Sequence, residues 1–175
     1  MEADLRYPIG KFQSVQKLTD AERCAAIAAI EEAPAQLRAA VAGLNDQQLD
    51  TPYRPGGWTV RQVAHHVPDS HMNAFIRMKL ALTEDVPTIK PYNEARWALL
   101  ADAKMPVEAS LALLENLHRR WVPLWRSLGP ADWERKLNHP EAGVMTLDNV
   151  VAHYAWHGRH HVAHITALRE RQGWT

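Results

Sequence analysis

From Leu147 to Leu168, the residues Leu147, Val150, Tyr154, His157, His161, Ile165 and Leu168 recur every three or four positions. That spacing lines one face of an α-helix, and a stripe of this kind has to be buried against other elements. The segment therefore dictates a core helix, with two histidines standing where apolar side chains belong. Burying two imidazoles one turn apart is costly unless each finds partners, because every ring has a donor and an acceptor to satisfy. A metal ion bound by both rings removes that cost, and a spacing of four places them close enough to share one. Five of the ten histidines fall between His153 and His164. His153, His160 and His164 flank the stripe or lie away from it, which reads them as solvated or packed at a rim.

The rest of the chain supplies further helices. Thr19 followed by Glu22 is a capping box opening a helix that carries Ile27, Ile30, Leu37, Val41 and Leu44, with Pro34 inside it as a kink. TPYRPGGW at 51–58 reads as a loop, after which Thr59 caps a helix to about Leu82 that contains Pro68. Residues 83–105 read as a long crossover with a short helix near Asn93–Leu100. A third helix opens at Pro106 and ends near Leu128-Gly129. The fourth runs from Thr146 to about Gln172, with Gly173 as its stop. No segment alternates long enough for more than a trivial strand pair. Residues 1–18 read as an extended arm preceding a single domain over 19–175. This pattern predicts an all-α, four-helix bundle with a long crossover connection, in which sites are built from facing helices.

Twenty basic and twenty acidic residues leave no basic footprint for nucleic acid, so a small-molecule partner fits better. No run approaches the roughly 18 apolar residues of a membrane helix. The single cysteine, Cys24, has no intramolecular disulfide partner and sits among alanines as a small packed residue would; without a signal-peptide pattern, the expected location is cytoplasmic.

A third metal ligand is expected from the second helix. There Val63, His66, Val67, Ser70 and Ala74 share the inner side, while Arg61, His65 and Asp69 share the opposite one. The candidate metal ligands are therefore His66, His157 and His161. Three protein ligands leave positions open for water or substrate, the arrangement of a catalytic site. Ligating imidazoles usually donate their other proton to a nearby acceptor, and Asp69, His71, Asn73 and Asp148 are candidates for that support. Trp121 and Trp125, four apart, read as core. Arg61, Arg77 and Arg159 are weighed as anion-binding groups against ordinary surface charges.

The stretches LRYPIGKF, LDTPYRPGGWTVRQVAHHVPDSHMNAFIRMKLALTE, SLALLENLHRRW and WHGRHHVAHITALRERQGW together span nearly the whole chain. In them the chain resembles the DinB superfamily of metal-binding four-helix bundles, most closely its YfiT-like branch. The resemblance implies a divalent ion, zinc or nickel, on His66, His157 and His161, the same three that helical register selects. It also implies a homodimer and an enzyme. YfiT-like proteins are described as metal-dependent hydrolases, and relatives transfer low-molecular-weight thiols such as bacillithiol or mycothiol to electrophiles. Thiol S-transfer is the first expectation, since a cation makes a thiol into its nucleophilic thiolate. Hydrolysis by a water acidified toward about 7 is the alternative. A third reading, a non-catalytic metal-binding stress-response protein, requires a closed site with His153 or His164 as fourth ligand.

Overall fold

Threonine hydroxyls start three of the four long helices. In the computed structural model, which describes residues 4–174, these are α1 (Asp20–Val41), α2 (Val60–Thr83), α3 (Glu108–Arg126) and α4 (Leu147–Gln172). Thr19 and Glu22 form the predicted capping box of α1, Thr59 pairs with Gln62 at α2, and Thr146 accepts the Asn149 amide at α4. The helix α3 has no side-chain cap and begins two residues after Pro106. At the far end of α4, Gly173 takes φ 65°, the left-handed conformation that glycine adopts without a Cβ clash.

The helices do not pack in chain order. The helix α1 lies along α3 and α4, and α2 also lies along α3 and α4; α1 and α2 scarcely meet, nor do α3 and α4. Consecutive helices within each pair are thus diagonal across the bundle. The α1–α2 and α3–α4 connections are long for that reason, and the α2–α3 connection, although it joins neighbouring helices, is also long, so the chain has three long connections rather than the single crossover read from sequence. Residues 42–59 include a helical turn, Asp46–Leu49, and residues 84–107 include Glu94–Trp97 and a 3₁₀ turn, Ala101–Lys104. Residues 127–146 hold the turn Pro130–Trp133 and an antiparallel hairpin of β1 (Lys136–His139) and β2 (Gly143–Thr146). No helix among the described residues is long and apolar enough to cross a membrane.

The core is split. One apolar cluster gathers Ile27, Ile30, Met78, Trp121, Trp125, Leu147 and Tyr154; a second gathers Leu37, Val63, Val67, Leu114, Ile165 and Leu168. Trp121 and Trp125, read as core, are fully buried. Between the clusters lies a layer of buried histidines: His66 and His71 from α2, His118 from α3, His157 and His161 from α4. Gly158 faces α1 in this layer, where an added Cβ would stand 3.1 Å from Ala33 Cβ, so the glycine permits the close α1–α4 approach. Cys24 is exposed, contrary to the packed position its alanine neighbours imply, because it lies off the buried face of α1.

Residues 4–18 form the described part of the arm; residues 1–3 of the expected arm lie outside the described residues. The arm runs along α4. Ser14 Oγ and Val15 N–H donate to Asn149 Oδ1 at 3.0 Å, Phe12 stacks on His153, and Trp156 Nε1 donates to Gly10 O at 3.3 Å.

Candidate metal centre

His157 and His161 project from one face of α4, a turn apart, toward His66 on α2. Each of the three offers a ring nitrogen, and these nitrogens lie within 4.8 Å of one another. His66 Nε2 and His157 Nε2 are 3.3 Å apart. Two nitrogens bound tetrahedrally to one zinc at about 2.0–2.1 Å would be about 3.3–3.4 Å apart, so this pair already has the spacing of two ligands. His161 Nδ1 is buried with no partner. The donor set and its spacing fit a divalent ion.

Burial pushes all three imidazoles toward the neutral, ligating form. The pKa of His66 falls to about 4, and those of His157 and His161 fall well below the ordinary value through desolvation and neighbouring imidazoles. Trp58 packs on the His66 ring with centroids 4.6 Å apart. On its other side His157 is supported by His71, whose Nε2 lies 3.2 Å from His157 Nδ1. His71 Nδ1 in turn lies 2.8 Å from His118 Nε2, and His118 Nδ1 donates to Ile30 O at 2.6 Å.

The cluster opens into a cavity of about 390 Å³ walled by Tyr7, Tyr53, Arg54, Trp58 and Trp156, with Arg6 and Glu94 also in its lining. Larger depressions between α1 and α3 and beside Arg61 lack such converging nitrogens.

Register reasoning brought together His66, His157 and His161 and kept His65 out. His65 faces α3 and the crossover, bonded to Ser110 Oγ at 2.7 Å and Met105 O at 3.0 Å. Of the flanking histidines, read as solvated or packed at a rim, two are packed more deeply than a rim position implies. His160 and His164 are buried, not solvated, because the arm and the Tyr53 loop cover them: Trp156 stacks on His160 at 4.2 Å, Tyr53 stacks on His164 at 4.0 Å, and His164 Nε2 donates to Arg6 O. Neither His164 nor His153 joins the converging trio.

Of the supporting candidates, His71 touches a cluster histidine directly. Asp69 lies beside His66 in a smaller pocket, where burial raises its carboxyl to about 6. Asn73 bonds back to Asp69 O, and Asp148 is held by Arg23 at 2.7 and 2.9 Å, away from the cluster. Arg61 is buried in ion pairs with Asp46 and Asp50, Arg77 donates to Lys90 O, and Arg159 donates to Ala155 O, so none of the three lines the cavity. The cations that do line it, Arg6 and Arg54, were not singled out; their loops acquire a site only through folding. His118 was also missed, although Leu111, Leu114, His118, Trp121 and Trp125 share helical spacing and mark it as an inward histidine.

A four-helix bundle of this topology is shared with known proteins. The chain belongs to the DinB superfamily, whose model matches residues 29–165. Among its relatives, a protein of Bacillus mycoides is 58% identical over 98% of this chain and 99% of its own length, and is provisionally named a metal-dependent hydrolase. A Bacillus thuringiensis protein with a similar name is 57% identical over the same shares. The solved structure of YfiT from Bacillus subtilis, described as a probable metal-dependent hydrolase with an unusual four-helix bundle topology, is 47% identical. It matches 99% of this chain and 100% of its own with a TM-score of 0.96.

Proposed function

We propose that this chain is a metal-dependent enzyme in which His66, His157 and His161 hold one divalent cation, zinc or nickel, beside a cavity that receives a small-molecule substrate. The observation that carries the reading is the convergence of three buried, neutral imidazoles from two helices on one side of that cavity. When bound, such an ion supplies Lewis acidity, which brings the proton of a water or thiol on its open side within reach of neutral pH.

The chain's own residues do the positioning. Trp58 and His71 hold the His66 and His157 rings from behind. Tyr7, Tyr53 and Trp156 wall the cavity and exclude water from one side of the substrate. Glu94 reaches the lining from the crossover as a solvent-exposed residue, and partial desolvation raises its carboxyl from the ordinary value, a direction suited to exchanging a proton with substrate. Among the described residues no serine, threonine or cysteine lines the cavity, which supports an incoming small molecule as the attacking group.

Hydrolysis, with water attacking, is the reading supported by the names of the relatives. Thiol S-transfer is the second reading, favoured by Arg54 in the lining, whose guanidinium group matches the carboxylates of low-molecular-weight thiols, whereas the Arg6 guanidinium is already paired with Asp4. The test is turnover by the zinc-loaded protein of chromogenic esters and amides, and of a chloronitrobenzene with bacillithiol, mycothiol, glutathione or no thiol. Zinc-dependent cleavage without thiol establishes hydrolysis, and turnover only with a thiol establishes transfer. Failure to bind zinc or nickel overturns the metal reading.

A further inference from the structure

Pro34 stands in the middle of α1 and has no amide hydrogen. The carbonyl of Ile30, four residues earlier, therefore lacks the donor that an uninterrupted helix would give it. A side chain from another helix takes the place: His118 Nδ1 on α3 lies 2.6 Å from Ile30 O. A carbonyl oxygen only accepts, so Nδ1 carries the proton of that ring.

The consequence passes along the histidine layer. His118 and His71 are 3% and 0% exposed, and burial keeps such rings uncharged. With its proton on Nδ1, neutral His118 presents a lone pair at Nε2, 2.8 Å from His71 Nδ1, which must donate. His71 then has its lone pair at Nε2, 3.2 Å from His157 Nδ1, which must also donate. His157 is left with a lone pair at Nε2, the atom that lies 3.3 Å from His66 Nε2 in the converging cluster.

We infer that Pro34, His118 and His71 form a positioning chain across the bundle that fixes the tautomer and ring orientation of His157, so that its Nε2 lone pair is presented to a metal ion before the ion arrives. A ligating histidine commonly gives its second proton directly to a carboxylate or a backbone carbonyl. Here the carbonyl is remote, and two further imidazoles carry its preference to the ligand. Only uncharged groups are involved, so the chain orients the ligand without adding negative charge behind it. Its role rests on reading the histidine cluster as a metal centre, whereas the proton order rests on the hydrogen-bond geometry.

The proton order is read from the metal-free protein labelled with ¹⁵N-histidine, because long-range ¹H–¹⁵N spectra distinguish the two tautomers of each ring. Protons on Nδ1 of His118, His71 and His157 are expected. Zinc affinity, measured by competition with a chromogenic chelator, is expected to fall about 10–100-fold in His71→Leu, the range for lost support behind a ligand. Pro34→Ala is the milder probe, since the substitution restores a backbone N–H that competes for Ile30 O. It should keep the helical circular dichroism while mixing the tautomers of His118 and His71 and weakening zinc binding several-fold. A proton on Nε2 of His71 or His157 in the parent protein, or His71→Leu and Pro34→Ala both binding zinc within twofold of it, would overturn the inference. If the parent protein shows the expected tautomers but binds no zinc, the proton order stands and the metal reading falls.

Discussion

Replacing His157 with alanine removes one nitrogen of three from the cluster and leaves His66 and His161 to hold an ion alone. Structural zinc sites with four protein ligands bind with about 10–16 kcal/mol, or about 2.5–4 kcal/mol per ligand. Loss of one ligand should then weaken binding by about 10²–10³-fold. The same change strips His71 Nε2 of its donor at a fully buried position, an unsatisfied group that costs the metal-free protein about 1–3 kcal/mol. His160→Ala is the matched control, because His160 stacks on Trp156 outside the trio and its buried Nδ1 has no partner to lose. At a free zinc concentration 100 times the parent dissociation constant, the parent gains about 2.7 kcal/mol of stability. A variant bound 100-fold more weakly gains about 0.4 kcal/mol by the same relation. For a chain of this size, those gains are thermal shifts of about 5–11 °C against about 1–2 °C. Thermal melts with and without zinc, with metal content measured after dialysis, give the answer. Equal metal content and equal shifts in His157→Ala and His160→Ala would refute the site.

Other consequences can be checked on the metal-free protein. Burial lowers His66, His118, His153 and His160 to about 4 from 6.5, so the unfolded chain binds more protons between those values. Stability should therefore fall as pH drops from about 6.5 toward 4, opposed only in part by Asp69, raised to about 6. A melting temperature constant across that window would contradict the buried neutral layer. Gly158→Ala should destabilise by about 1 kcal/mol in urea, the strain of a Cβ 3.1 Å from Ala33 exceeding the helix-propensity gain. An increase in stability would show that α1 can yield. Asp148→Ala leaves Arg23 without its buried partner and frees the Leu18 amide, at a cost of about 3 kcal/mol. Faster proteolysis of residues 11–18 should accompany it, and an unchanged digestion rate would show that the contacts to Asn149, His153 and Trp156 hold the arm without Asp148.

The helices were legible because the rules that make them are local. Thr19 and Thr59 with their partners three residues on, Thr146, and Gly173 each act within one turn, and all four mark observed helix ends. Register alone placed His66, His157 and His161 on inner faces, since side-chain direction in a helix follows from residue number. Local rules do not say which helices become neighbours. The diagonal placement of α1 and α2 and of α3 and α4, which makes the first and last connections long, follows from how apolar faces meet across the bundle. Burial of His160 and His164 required the arm to lie along α4, and Arg6 and Arg54 entered the cavity lining through loops without periodicity.

Pro34 marks the boundary between the two kinds of information. That it frees the Ile30 carbonyl is a covalent fact visible in the order of residues, because proline has no amide hydrogen. That His118 donates to this carbonyl, and passes a proton order through His71 to His157, depends on α3 packing against α1 and α2 at one height. A hydrogen bond between residues 88 apart in the chain has no local signature, since its energy depends on a distance that packing alone sets.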